Sequence, residues 1–437
     1  MHLPGVRFTS LRIAALAVLS IPLVGFPIPQ RFNILEHEAI KYYDTEATDS
    51  IARLQRRMNG GEVRLEADQS HGYLNSALRA LDIGVSSQIL VASKTSLQLD
   101  LISPERPRAI YFNDDTYVAW VQGSSLLEIS TVDPNLGAVF YTLDQRGEGG
   151  AKFSREDAVC LQCHNPAAPG HVMVSTIPDG SGVPLFHAGL FTTTDRSPLA
   201  ERWGGWYVTG VHGQQLHMGN LIVRDLPPSK PGINTNRVNI DRSKGANVTD
   251  LATFLDTSKY LTGHSDIAAL MVMGHQVHVQ NQMTKLNYAA RKAIHDAKGA
   301  DVLDAYKGEA EELVRDMLFA GESRLTSKIT GTSGFAEDFQ RRGPRDSRGR
   351  SLRDLDLSQR MFRYPLSYLI YSRAFAALPA PAKDYVCRRL VDVLSGRDLG
   401  PDFGNLALDD RQSILEILRE THPDFAAVLV SPSKTDK

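Results

Sequence analysis

Cys160-Leu161-Gln162-Cys163-His164 brings two of the chain's three cysteines within one helical turn and sets a histidine directly after them. C-x-x-C-H is the attachment signature of c-type haem. The chemistry explains the spacing: each thiol adds to one haem vinyl group, and the histidine beside the second thiol reaches the iron as an axial ligand. With 3 cysteines and 13 histidines in 437 residues, a given cysteine starts this pattern by chance roughly once in 5,000, so coincidence explains it poorly. Two other chemistries share a C-x-x-C pair. A thioredoxin-like dithiol wants a strand before it and a helix after it, whereas Asn165-Pro166-Ala167-Ala168-Pro169-Gly170 follows here. A structural zinc site needs four ligands, and there is no second cysteine pair to complete one. The expected cofactor is one covalent haem c, with Cys160 and Cys163 in the thioethers and His164 as proximal iron ligand.

The opposite axial position separates a carrier from a catalyst. Iron held by His/Met or His/His mainly passes electrons, while an open position admits peroxide or small ligands. His212, His217 and Met218 lie together in the glycine-rich stretch 205–220, and glycine lets backbone approach a flat cofactor closely. His217 is the expected metal ligand of this group. Met173, His187 and a helical face carrying Met271, His275, His278 and Gln282 are the other candidates, alongside an empty position. A histidine in an apolar helix is more often a hydrogen-bonded core residue than a ligand. Trp203, Trp206 and Tyr207 suit stacking near a haem and ordinary core packing equally well. No phosphate loop, nucleophile elbow or zincin helix appears, and no acid–base pair stands out to carry an enzyme mechanism.

The N-terminus agrees with haem attachment outside the cytoplasm. His2, Arg7 and Arg12 precede the apolar run 13–26, which suits a signal-peptide core and is short for a membrane span of about 20 residues. No A-x-A site precedes Pro27, so a removed signal peptide and an uncleaved N-terminal membrane anchor both remain open for residues 1–27. The expected location is periplasmic or otherwise extracytoplasmic, with anchoring to the inner membrane in the second case. A net charge of −2, with 42% apolar and 22% charged residues, is ordinary globular composition and gives no hint of nucleic acid. Cys387 is left over and reads as a packing residue.

These residues need a frame to position them. The reading is an α+β fold, with N-terminal helices and short antiparallel strands over 28–147, a loop-rich haem c segment over 148–248 and a largely α-helical C-terminal half over 249–437. Helices are expected at 33–58 and 73–81. Strands are expected at 89–91, 97–101, 109–112, 117–121, 126–129 and 138–141. Further helices are expected at 250–255, 267–298, 300–319, 357–375, 383–395 and 409–421. The polar stretch 227–247 reads as an exposed excursion, and the basic stretch 341–350 as a solvated linker.

Phe153-Ser154-Arg155-Glu156-Asp157-Ala158-Val159 before the haem motif, Arg202-Trp203-Gly204-Gly205-Trp206-Tyr207-Val208-Thr209-Gly210, and His217-Met218-Gly219-Asn220 resemble large bacterial proteins that contain a cytochrome c domain. Ser93-Lys94-Thr95-Ser96-Leu97-Gln98, Pro107-Arg108-Ala109-Ile110-Tyr111-Phe112 and Gly274-His275-Gln276 are similar to the same group. The resemblance implies a secreted or periplasmic monohaem protein and defines no substrate. The expected function is an exported monohaem c-type cytochrome exchanging electrons with a periplasmic redox partner. A haem enzyme of peroxidase or oxidoreductase type and a haem-based ligand sensor are the alternatives. Reporter fusions made after Gln30 are expected to be active only outside the cytoplasm; equal activity of a cytoplasmic reporter would remove the export reading.

Overall fold

Alternating apolar residues between positions 89 and 144 make most of an antiparallel meander: β1 (Ile89–Val91), β2 (Arg108–Phe112), β3 (Thr116–Trp120), β4 (Leu126–Asp133), β5 (Gly137–Asp144) and β6 (Phe153–Arg155). Each strand pairs with its neighbour in sequence. The architecture comes from a computed structural model, which describes residues 34–146, 150–164, 168–224, 240–297, 302–404 and 406–425. The leader (1–27) and residues 227–239 of the polar excursion lie outside the described residues.

The sheet has two covered faces. Leu90, Tyr111, Val118, Ile129 and Tyr141 turn to one of them and join the core of α1 (Ser50–Asn59) and α2 (Leu74–Ala80). Asp49 starts α1 by accepting the amides of Ile51 and Ala52 at 2.8 and 2.9 Å. It also accepts the Tyr141 hydroxyl at 2.7 Å, which ties the helix cap to β5. On the other face the register aligns Phe112, Tyr117, Ser130 and Phe140 in one row, and Ile110, Ala119, Glu128 and Thr142 in the next. The C-x-x-C-H stretch belongs to this second face, because α3 (Asp157–His164) follows β6 directly and packs on β5. A two-stranded ladder, β7 (Val174–Ser175) with β8 (Phe191–Thr192), comes next.

The central element is α4 (Ile267–Asp296), a 30-residue helix buried over most of its length. A helix buried over so much of its surface has cover on every side, and its buried polar side chains find partners there. The sheet covers one side, through Tyr117, whose hydroxyl donates to Gln280 at 2.7 Å and accepts from Gln276 at 2.7 Å. Helices cover the other: α5 (Lys307–Met317) packs on α4, and α6 (Phe335–Gln340) and α7 (Arg373–Ala376) touch it too. Then α8 (Ala380–Leu394) packs on α5, and α9 (Leu408–Thr421) on α8. The fold is α+β with a helical C-terminal half, as the sequence suggests. Tyr141, Leu161 and Tyr288, from the three expected regions, share one core. Among the described residues no helix is long and apolar enough to cross a membrane.

Four expected elements differ, each for a local reason. The helix expected over 33–58 begins only at Ser50. Upstream, Lys41 sits at φ +48°, and Arg155 takes the carbonyls of Tyr42 and Thr45 that a helix would use internally. The strand expected over 97–101 is a 3₁₀ turn, Leu99–Leu101, because Ser96 and Gln98 turn their side chains to Glu128. The helix expected at 250–255 is an isolated turn, closed by Leu255 N–H on the Leu251 carbonyl. The helix expected over 357–375 is broken by Leu357 at φ +54° and by Pro365, leaving a 3₁₀ turn and α7. The strand β6 and the short helix α6 were not expected at all.

Asp266 fixes where α4 begins. Its buried carboxylate accepts the Ala268 and Ala269 amides of the first turn at 2.7 and 3.3 Å and the Thr332 and Ser333 amides at 2.7 and 2.8 Å. Asp266→Ala leaves these buried donors without an acceptor and is expected to cost about 2–4 kcal/mol in urea unfolding. A loss under about 0.5 kcal/mol would show that the cap does not hold the helix.

Candidate functional site

On α3, Leu161 is buried and anchors the helix to the core containing Phe140 and Phe153. Cys160 is half-buried, Cys163 is exposed, and both are free thiols. The Nδ1 of His164 lies 3.0 Å from the carbonyl oxygen of Gly170. A carbonyl only accepts, so Nδ1 carries the proton and Nε2 keeps its lone pair. Burial pushes the pKa of His164 down, which keeps the ring neutral near pH 7. A neutral imidazole with one nitrogen donating to a backbone carbonyl and the other bare is the state of a metal-ligating histidine. The Phe140 ring packs on it at 4.8 Å, and the His171 ring lies at 6.4 Å.

The Gly170 carbonyl is held from α4. Asn281 accepts the His171 amide at 3.0 Å and donates to the His171 carbonyl at 2.7 Å. Gly170 presses so close that an added Cβ would stand 2.4 Å from Asn281 Oδ1. The His171 ring closes the space between sheet and helix, 4.8 Å from Tyr117 and with Nε2 2.5 Å from Ser130 Oγ. Beside this cluster Arg108 pairs with Glu128 at 3.2 Å, both largely buried, and the Arg108 Nε has no partner. Glu128 also accepts from Ser96 and Gln98. His171, Arg108 and Glu128 escaped sequence reasoning, since a lone histidine in a loop and an ion pair across three strands leave no periodic signal.

The rival chemistries find little here. Burial, with Glu128, Glu156 and Asp157 nearby, pushes the Cys160 thiol up to about 11. A dithiol oxidoreductase needs the opposite, a thiolate stabilised near neutral pH. Among the described residues, the one group of three histidine, cysteine or carboxylate side chains with ligand atoms within 4.8 Å of one another is His37, His295 and Asp296, far from α3 in sequence. His37 Nδ1 accepts the Ala39 amide, so its Nε2 carries the proton and points a donor toward Asp296. Lys292 pairs with the same carboxylate. That cluster is a carboxylate ringed by donors, not a cage of lone pairs.

The expected distal ligand, His217, is in a different state from His164. It is buried beside Trp203 and His212, and its Nδ1 accepts the Gly219 amide at 3.0 Å. A neutral ring used that way protonates Nε2 and has no lone pair left for iron. Likewise His212 Nε2 accepts the Asn247 amide at 2.9 Å. Met218 takes the Ser175 hydroxyl at 3.8 Å, and Met173 packs against Gly274 of α4. His275 is bonded to Ser367 at 2.8 Å and stacked on Phe319, while His278 pairs with Asp316 at 3.0 Å. Met271 and Gln282 are buried on α4, and His187 is exposed in the 3₁₀ turn Phe186–Ala188. Trp206 donates to the Val174 carbonyl and Tyr207 to the Pro104 carbonyl, as core residues do. Comparison with known proteins finds no family model that matches the chain, and no match among curated proteins or solved structures.

Burial, and the neighbouring histidine in each case, push His171 and His217 down to about 3. Below about 6.5 the unfolded chain binds protons that these folded rings refuse, so their contribution to stability is complete above that pH and is lost as pH falls toward 3. Urea midpoints are expected to decline from pH 7 to pH 4. His217→Asn, whose amide oxygen can still accept the Gly219 amide, should make that decline shallower. An unchanged slope would mean that His217 is not held neutral by the fold.

Proposed function

We propose that this chain is an exported monohaem c-type cytochrome that exchanges electrons with a periplasmic redox partner. One observation carries the reading: His164 follows the two thiols on the same helix and is poised by the Gly170 carbonyl with Nε2 bare. The haem supplies a one-electron ferric/ferrous couple. Cys160 and Cys163 would hold it covalently through two thioether links to its vinyl groups. His164 ligates through Nε2, and its Nδ1–H bond to Gly170 sets the ring's orientation and raises its basicity. Arg108 and Glu128 place a compensated charge pair beside that ligand, with one guanidinium N–H still without an acceptor. Exposure of Cys163 supports exchange with a partner at the surface, because a group attached there lies near solvent. The basic and apolar leader supports export. His217 is not carried into this proposal, since its lone pair serves Gly219.

Protein matured with a c-type haem attachment system is expected to gain about 616 Da, the mass of one haem, and to keep its colour in acidified organic solvent. The double variant Cys160→Ala/Cys163→Ala should lose both properties. A colourless wild type, or colour extracted by the solvent, contradicts covalent attachment. Slow or absent CO binding by the reduced protein agrees with the carrier; rapid binding would favour the haem enzyme or the ligand sensor.

A further inference from the structure

A cavity of about 340 Å³ lies between the 3₁₀ turn Val85–Ser87, the end of β2, α4 and α6. That is within the usual size of small-molecule sites, roughly 300–1,000 Å³. Its apolar wall is aromatic: Phe112 and Phe335 rings meet at 5.5 Å, and Phe335 and Phe339 at 5.7 Å. Most polar groups around it are already engaged. Gln276 donates to Tyr117 and to the Asn113 carbonyl, and accepts the Tyr368 hydroxyl. Asp114 is paired with Arg353, which is buried over the faces of Phe339 and Tyr368. Asp338 accepts the Ser86 hydroxyl at 2.6 Å and pairs with Arg341.

Arg342 is the most loosely held of them. It lines the cavity with its side chain 37% exposed, pairs with the 92%-exposed carboxylate of Asp82 at 3.6 Å and donates to the Asp82 carbonyl at 3.3 Å. Such a pair contributes little and yields readily to a better acceptor. Counting Arg353 behind Asp114, three guanidinium groups meet three carboxylates, and Asp82, the partner of Arg342, is the most exposed of the three and the one a ligand carboxylate can replace.

We propose that this cavity binds a small aromatic carboxylate, its ring among Phe112, Phe335 and Phe339 and its carboxylate on Arg342. The site stands apart from α3 and does not depend on haem. Phenylacetate is a suitable probe, with phenethylamine and benzyl alcohol as cationic and neutral matches, each titrated by calorimetry into the full chain. Saturable one-to-one binding of phenylacetate is expected, with the amine bound much more weakly. Arg342→Gln should weaken phenylacetate about tenfold or more and leave benzyl alcohol unchanged, as loss of a charge-assisted hydrogen bond requires. Gly84→Phe should abolish binding of both, since Gly84 lines the cavity with ordinary backbone angles (φ −74°, ψ 138°) and a Cβ there meets only Ser86 Oγ at 3.4 Å. Thermal melting checks the fold of each variant; if Gly84→Phe melts early, the half-buried Arg342→Gln decides. Absence of phenylacetate heat up to about 10 mM, equal affinity for the amine, or binding untouched by Arg342→Gln overturns the proposal.

Discussion

The side chain of Asn281 grips the backbone of His171 from both sides, accepting its amide and donating to its carbonyl. That clamp sets the carbonyl of Gly170, and the carbonyl sets the proton on His164. The geometry tolerates no methyl group at Gly170, where Asn281 stands in the way. Asn281 is itself placed by α4, whose first turn is fixed by Asp266 and whose middle is tied to the sheet through Gln276, Gln280 and Tyr117. The ring of His164, at the end of a surface helix of eight residues, is thus set by a helix buried over most of its length.

The histidines show why composition alone cannot name a ligand. His164, His217 and His37 each use Nδ1 in one backbone hydrogen bond. His164 faces a carbonyl and therefore donates, whereas the other two face amides and therefore accept. Only the first leaves Nε2 free to coordinate. Low polarity reinforces the assignment, because burial lowers the pKa of His164 and of His217 alike and keeps both neutral near pH 7. The same burial raises the Cys160 thiol, which does not suit it to thiolate exchange.

Much of this was legible in the chain. Alternation and β-branched content marked five of the six strands and the 3.6-residue pattern marked α4, because both report burial on a regular backbone. The losses came where side chains at a distance override local preference. Arg155 draws carbonyls out of a would-be helix before Ser50, and Glu128 bends Ser96 and Gln98 out of a would-be strand. The C-x-x-C-H spacing was readable from residue type, but the tautomers of His164 and His217 were not, since they depend on which backbone group each ring meets. The cavity beside Phe112 was equally hidden, being assembled from segments more than two hundred residues apart.

The central claim is that Cys160 and Cys163 each carry one thioether to a haem ligated by His164. The pyridine haemochrome spectrum of the matured protein tests it most directly, because the reduced α band moves to shorter wavelength with each vinyl group consumed. The account predicts the full two-thioether shift in the wild type and an intermediate position in Cys160→Ala or Cys163→Ala. A band at the position of unmodified haem b in the wild type, or no haemochrome at all, would contradict it.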